Sequence, residues 1–287
     1  MRRPKDEHEL GLLRRAAAAT AHGYEHICEH LRTGISERAL QIEMEAAFFR
    51  AGADRTGYAT IAGGGPNAAV LHFSPTNRAV REGEFVLIDA GAEVERYVCD
   101  VTRTWVAGTP STFQRELHAI VLSAEERAIA RCVPGVEWRE IHLAAVVDLT
   151  AGLVELGFMR GTPEALVEQA AHTLFFPHGI GHMVGLGVRD ASGTAPGRPR
   201  STDPALKNLR CDLPLEAGYV MTVEPGLYFI PPLLRDPARR ERFREAVNWE
   251  KVDAHMHIGG VRIEDNIVVR ADGPPEVLTA TIPKSLE

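Results

Sequence analysis

From Phe85 to Trp105 the chain reads FVLIDAGAEVERYVCDVTRTW. Phe85 to Ile88 and Tyr97 to Trp105 are β-rich, and the polar residues Glu93 to Arg96 between them suit a hairpin turn. Two acids interrupt this apolar pattern. Asp89 directly follows Val86-Leu87-Ile88, and Asp100 sits inside Val98-Cys99-Asp100-Val101. A carboxylate in a buried strand must be paired, protonated or bound to a cation. The hairpin would set these two beside each other.

The pattern returns later in the chain. Gly83 is followed by Asp89 and Gly91, and Gly218 by Glu224 and Gly226, with EFVLI and YVMTV in between. Each half therefore offers a strand ending in a carboxylate and a glycine turn, the mark of a duplication with two pseudo-symmetric halves. Glu264, next to Val261-Arg262-Ile263, is a fourth acid in an apolar strand. Ion pairs with Arg103 or Arg262 would account for one or two of the four. Without a cation, four converging carboxylates repel strongly.

The histidines sort by context. In Pro177-His178-Gly179-Ile180-Gly181-His182 the glycines disfavour a regular helix and suggest close approach of backbone to a ligand, making His178 and His182 site candidates. His72, in Val70-Leu71-His72-Phe73, suits either a core position or a substrate contact. His22, His26 and His30 recur every four residues and read as an exposed helix stripe. His8, His118, His142, His172, His255 and His257 have no distinguishing context. Four carboxylates and one imidazole form an oxygen-rich set, suited to Mn²⁺, with Co²⁺ and Zn²⁺ as alternatives. Two such ions about 3.5 Å apart would hold a hydroxide and polarise a carbonyl. No G-x-S-x-G elbow or Cys/His nucleophile pattern competes.

Outward from this centre, Glu9 to Leu31 and Glu37 to Ala51 read as paired helices. Tyr58 to Ala62 and Val70 to Phe73 read as short strands around a loop, Gly63 to Pro66, which lacks the Lys-Ser/Thr of a phosphate loop. Helices are expected at Phe113 to Cys132, at Glu137 to Leu156 and from Thr162-Pro163. Strands are expected at Val220 to Val223 and Val261 to Arg270. Between them lies a polar insertion, Ile230 to His257, whose charge run Arg235 to Arg244 reads as a solvated face.

Composition bounds the rest. A length of 287 residues allows one large domain or two units, and the net charge of −7 argues against nucleic acid as a partner. No apolar run approaches the roughly 18 residues of a membrane span, and Met1 to Leu10 lacks the apolar region of a secretory signal. Cys28, Cys99, Cys132 and Cys211 form no close pair and read as free thiols of a reducing, cytoplasmic setting.

The segments Val70 to Phe73, Leu87 to Ala92, Tyr97 to Trp105, His178 to Asp190, Thr222 to Tyr228 and Gly260 to Asn266 resemble the motifs of the pita-bread metallopeptidases of family M24. That family includes methionine aminopeptidase, aminopeptidase P and prolidase. The resemblance implies an α+β fold with pseudo-twofold duplicated halves and a curved, mainly antiparallel sheet. It implies Asp89, Asp100, His182, Glu224 and Glu264 as ligands of two metal ions, with Asp100 and Glu264 bridging and Glu224 moving the proton. His72 and His178 would act beside Glu224, and His72, His178, Arg189, Arg210, Tyr228 and Arg262 would bind substrate.

The insertion, with Pro231-Pro232-Leu233-Leu234-Arg235-Asp236-Pro237 and Asn248-Trp249, looks like bacterial Xaa-Pro dipeptidase. The resemblance therefore implies a cytoplasmic, homodimeric prolidase acting on proline-containing dipeptides or short peptides. Arg210 would hold the dipeptide's C-terminal carboxylate. Aminopeptidase P, a binding module without metal and methionine aminopeptidase are the alternatives. The family usually has Val-His-Asp where this chain has Val188-Arg189-Asp190, and Arg cannot titrate in the working range. The chain begins where the catalytic domain of prolidases begins, so residues 1–287 are expected to be that domain without the usual N-terminal one.

Overall fold

The computed structural model describes residues 2–286. Two helices open the chain, α1 (Glu7–His30) and α2 (Glu37–Arg50). Asp6 and Glu9 close a capping box on the first, and Ser36 accepts from the Ala39 amide at the start of the second, satisfying donors that a helix start leaves free. Tyr24, Ile27, Leu40, Met44 and Phe48 are buried between this pair and the sheet.

Next come β1 (Arg55–Thr56), β2 (Ile61–Gly64) and a 3₁₀ turn over Gly65–Ala69. Two expectations fail here. Gly63 and Gly64 belong to β2 instead of a loop, and Val70 to Phe73 form no strand. The reason is close packing: a Cβ on Gly63 would stand 2.8 Å from the Asn67 carbonyl oxygen, so glycine lets the 3₁₀ turn fold back on the strand. Leu71 and His72 then face a cavity in place of a partner strand.

The hairpin forms as β3 (Phe85–Ala90), β4 (Ala92–Val94), β5 (Tyr97–Val98) and β6 (Val101–Val106). Its turn is tighter than expected. Glu95 and Arg96 take φ of 48° and 76°, the left-handed pair of a two-residue hairpin turn. β3 lies between β2 and β6, antiparallel to both, with Asp89 opposite Thr102. At the break between β3 and β4, a Cβ on Gly91 would sit 1.7 Å from the Cys99 carbonyl oxygen. Glycine alone permits that crossing, which brings Asp89 and Asp100 into one neighbourhood.

The second half starts with α3 (Thr112–Ala130), α4 (Trp138–Glu155) and α5 (Pro163–Glu168), the last capped by Thr162. After β7 (Gly193–Thr194) and β8 (Cys211–Asp212) come β9 (Val220–Val223) and β10 (Gly226–Tyr228). The insertion folds as three short helices, α6 (Pro231–Leu234), α7 (Pro237–Arg242) and α8 (Trp249–Ala254). Its charge run is solvated as expected, with Arg240 on Asp253 at 2.6 Å and Arg244 on Glu241 at 3.3 Å.

The expected strand from Val261 breaks at Ile263-Glu264. β11 (Gly260–Arg262) pairs with β10, and β12 (Asp265–Val268) pairs with β9 and with β13 (Glu276–Val277). The two halves therefore correspond. Asp89 lies near the end of β3 and Asp100 just before its partner β6, while Glu224 follows β9 and Glu264 just precedes its partner β12. A bridge from Thr102 to Glu264 joins the halves at this point. Apart from the parallel pair β7–β8, all the named strands pair antiparallel, as the expected fold requires. Trp138, Phe158, Phe175 and Phe229 fill the core under α3 and α4.

Candidate metal centre

Asp100, His182 and Glu264 come together with their donor atoms all within 4.8 Å of one another, and all three are buried. His182 Nε2 stands 3.4 Å from Asp100 Oδ2 and 3.8 Å from Glu224 Oε1. Neighbours from the other half hold Asp100 and Glu264, and an adjacent carbonyl holds His182. Thr102 donates to Glu264 Oε2 at 2.7 Å. The Asp100 amide donates to Asn266 Oδ1 at 2.9 Å, and Asn266 Nδ2 returns a bond to the Asp100 carbonyl at 2.6 Å. The His182 Nδ1 proton goes to the Met183 carbonyl at 3.0 Å, which turns the Nε2 lone pair toward the acids.

Asp89 is held differently. Arg262 Nη2 donates to its Oδ2 and the Tyr58 hydroxyl to its Oδ1, each at 2.6 Å. Arg262 is thus the ion-pair partner that the sequence offered. Arg103 is not: it pairs with Asp265 at 2.7 Å and donates to the Glu264 carbonyl at 2.7 Å, supporting the strand behind the cluster.

Charge tests whether these residues fit a metal. Burial pushes Asp89 above the usual carboxylate range, Glu264 well above it and Glu224 up to about 7, and neighbouring acids add to each rise. Burial works against a charged His182, yet Asp100 and Glu224 hold it above the ordinary imidazole value. The acids stand where they cannot all ionise at neutral pH on their own. Divalent cations would relieve that repulsion, and four carboxylates with one imidazole make a donor set that fits them.

A cavity of about 380 Å³ opens over the cluster. His72, His178, Arg189, Arg210 and Arg262 line it beside the acids. His178 has both nitrogens engaged: Nδ1 donates to the Gly179 carbonyl and Nε2 accepts from the Tyr228 hydroxyl, each at 2.8 Å. Burial, then Arg262, push its pKa down to about 3, so the ring is neutral. Tyr228 also accepts from Arg262 Nη1 at 3.1 Å. It is fully buried, bonds His178 and Arg262 and does not line the cavity, so it orients those groups where a direct substrate contact was expected. His72 Nε2 lies 3.4 Å from Arg189 Nη2, and burial followed by the Arg189 charge lowers its pKa.

The sequence reading missed Tyr58, Thr102 and Asn266. Tyr58 stands in an irregular segment with no pattern to mark it. The other two carry a signal, because each follows a cluster acid at the same spacing, Asp100 then Thr102 and Glu264 then Asn266. The α1 stripe is more structured than expected. His26, Glu29 and His30 form a second potential ligand group among the described residues, and His26 bonds Glu43 at 3.0 Å.

Comparison with known proteins agrees with this geometry. The model of metallopeptidase family M24 matches residues 11–271. A probable Xaa-Pro aminopeptidase of Aspergillus fumigatus is 36% identical over 294 residues, covering 96% of this chain and 59% of the relative. Proline aminopeptidase P II from Yersinia pestis superposes with a TM-score of 0.84 at 35% identity, covering 99% of this chain and 59% of that one. Zinc-substituted aminopeptidase P of Escherichia coli, in complex with product, gives 0.83 at 35% identity over 99% and 58%. The chain thus spans about three fifths of the length of these relatives. All three are aminopeptidases, so the comparisons favour the aminopeptidase reading over the dipeptidase expected from the insertion. No helix among the described residues is long and apolar enough to cross a membrane.

Proposed function

This chain belongs to metallopeptidase family M24, and we propose that it is a divalent-metal-dependent Xaa-Pro aminopeptidase, releasing the N-terminal residue from peptides with proline second. The observation that carries the reading is the gathering of Asp100, His182 and Glu264, with Glu224 and Asp89 beside them, from two corresponding halves of the fold. Those five residues would hold two ions, and their oxygen-rich chemistry suits manganese. Once bound, the ions would supply Lewis-acid polarisation and an activated water at neutral pH.

The remaining residues have their own tasks. Glu224, 3.7 Å from His178 Nδ1, accepts a proton and delivers it to the departing amine. His178, kept neutral and held at both ring nitrogens by Gly179 and Tyr228, forms a fixed part of the cavity wall. Arg262 fixes Asp89 and, through Tyr228, the His178 ring. His72 lines the same cavity beside Arg189 and would meet the peptide there.

The test uses protein stripped of metal and reloaded with Mn²⁺. The reading expects alanine release from Ala-Pro-Ala by the loaded protein and none by the stripped protein. Cleavage of Ala-Pro with no cleavage of Ala-Pro-Ala would assign a dipeptidase. Metal binding without hydrolysis of either would assign a binding module.

A further inference from the structure

Where the two halves join, successive side chains turn to opposite faces, as strand geometry requires. Thr102 and Glu264 meet on the side of the acid cluster, and Asn266 reaches the Asp100 backbone. Arg103 and Asp265 turn the other way and pair at 2.7 Å. There they meet the end of the chain. Arg103 Nε donates to the Pro283 carbonyl and Nη2 to the Ile282 carbonyl, each at 3.0 Å, while Nη1 donates to the Glu264 carbonyl at 2.7 Å. The Thr279 hydroxyl donates to Asp265 Oδ1 at 2.7 Å and accepts from the Asn266 amide at 3.1 Å. Lys284 Nζ stands 2.5 Å from Asp265 Oδ2 and 2.8 Å from Glu125 Oε2 on α3. Arg103, Glu125, Asp265, Asn266 and Thr279 are all buried.

We propose that Asp265 is a positioning residue for the metal centre, held from behind by a C-terminal strap, residues 279–284, so that contacts on the face opposite the ligands set the affinity for divalent ions. The inference rests on the metal-dependent reading of the cluster. Asp265 sits between Glu264, a candidate ligand, and Asn266, which clips Asp100 at both its amide and its carbonyl. Fixing the middle residue therefore fixes the pitch of both neighbours. Ligands perform only when held to within about 0.5 Å of their working geometry by locked supporting groups. The strap supplies that lock through Thr279, Lys284 and two carbonyls on Arg103, and it acts through Asp265 and Asn266 instead of on a ligand directly.

The test titrates metal-free protein with Mn²⁺ by calorimetry, at a temperature where circular dichroism shows each variant folded. Thr279→Val keeps the shape and removes the hydroxyl shared by Asp265 and Asn266. Lys284→Met keeps the stem and removes the ammonium. In each, the dissociation constant for Mn²⁺ is expected to rise about tenfold, the usual effect of losing a group that supports a ligand. Half-activation of Ala-Pro-Ala hydrolysis moves to higher Mn²⁺ by the same factor, and Thr279→Ser and Lys284→Arg restore both readouts. Thr279→Val, the milder change, decides alone where Lys284→Met does not fold. A rise below about threefold in a folded variant, even with a lower Tm, assigns the strap to fold stability and overturns the proposal. No saturable binding in wild type removes the metal centre and this proposal with it. Weakened Mn²⁺ binding in the variants, with no hydrolysis of Ala-Pro-Ala even by wild type, sinks the aminopeptidase reading and leaves the strap standing.

Discussion

Replacing Arg262 by Met separates what the protein contributes to the acid cluster from what a cation would contribute. The guanidinium is 3% exposed and bonds Asp89 at 2.6 Å, Tyr228 at 3.1 Å and Thr102 at 2.9 Å. Met preserves most of the volume and removes the charge. Asp89, itself 9% exposed, is then left with the Tyr58 hydroxyl as its partner. Removing one member of a buried pair costs about 3–5 kcal/mol. A chain of 287 residues unfolds with an entropy of about 0.6 kcal/mol/K near its midpoint, so the loss lowers Tm by about 5–8 °C. That figure applies in chelator. A divalent ion at the cluster returns positive charge beside Asp89 and stabilises only the folded state, so in saturating Mn²⁺ the fall shrinks to about half or less. Thermal unfolding followed by circular dichroism in EDTA and in Mn²⁺ reads both values. An unchanged Tm in EDTA, or the same fall in both buffers, would refute the reasoning.

Three further outcomes are expected. Gly91→Ala puts a Cβ 1.7 Å from the Cys99 carbonyl oxygen, so the hairpin must open. A loss of at least about 3 kcal/mol by urea denaturation, with reduced metal uptake, checks this. Asp190→Ala leaves the Lys5 ammonium, now 3.0 Å from a carboxylate, buried without a counter-charge, and releases the Leu186 amide held at 3.1 Å. Stability falls by about 2–4 kcal/mol, and KM rises as the loop carrying Arg189 loosens; an unchanged KM and urea midpoint would count against it. Glu125 gives a pH signature, because burial and then Asp265 hold its carboxyl up at about 8, against Lys284 at 2.8 Å. The folded state binds this proton more tightly than the unfolded state. The contribution is therefore complete below the unfolded value of about 4.3 and is lost as pH rises through about 8. Asp265, lowered to about 2, stays ionised across that window. Stability from urea denaturation should fall between acid and alkaline pH by a few kcal/mol less in Glu125→Gln than in wild type, the remaining slope belonging to Glu224 and Glu264; equal slopes would exclude Glu125 as a contributor.

The centre of the molecule was legible because its anomalies are local. Asp89, Asp100, Glu224 and Glu264 interrupt apolar strands, and His182 stands among glycines, so each announces itself within a few residues. Their convergence was legible through the repeated glycine-strand-acid pattern. Long-range partners left no such trace. Arg103 meets Asp265, and Asn266 meets Asp100, across more than 160 positions, and no window of sequence joins them. Gly63 and Gly64 looked like a loop because the 3₁₀ turn that needs their bare backbone is a tertiary feature. Val70 to Phe73 looked like a strand because apolar residues facing a cavity and those facing a partner strand read alike. Tyr228 was named as a substrate contact by resemblance, and only the fold reveals that it bonds His178 and Arg262 and lies outside the cavity lining.

Calorimetric titration of metal-free protein with Mn²⁺ addresses the core of the account most directly. Two equivalents per chain should bind saturably in wild type, with at least one lost in Asp100→Ala and in Glu264→Ala while both variants remain folded. No saturable binding in wild type, or undiminished stoichiometry in both variants, would contradict it.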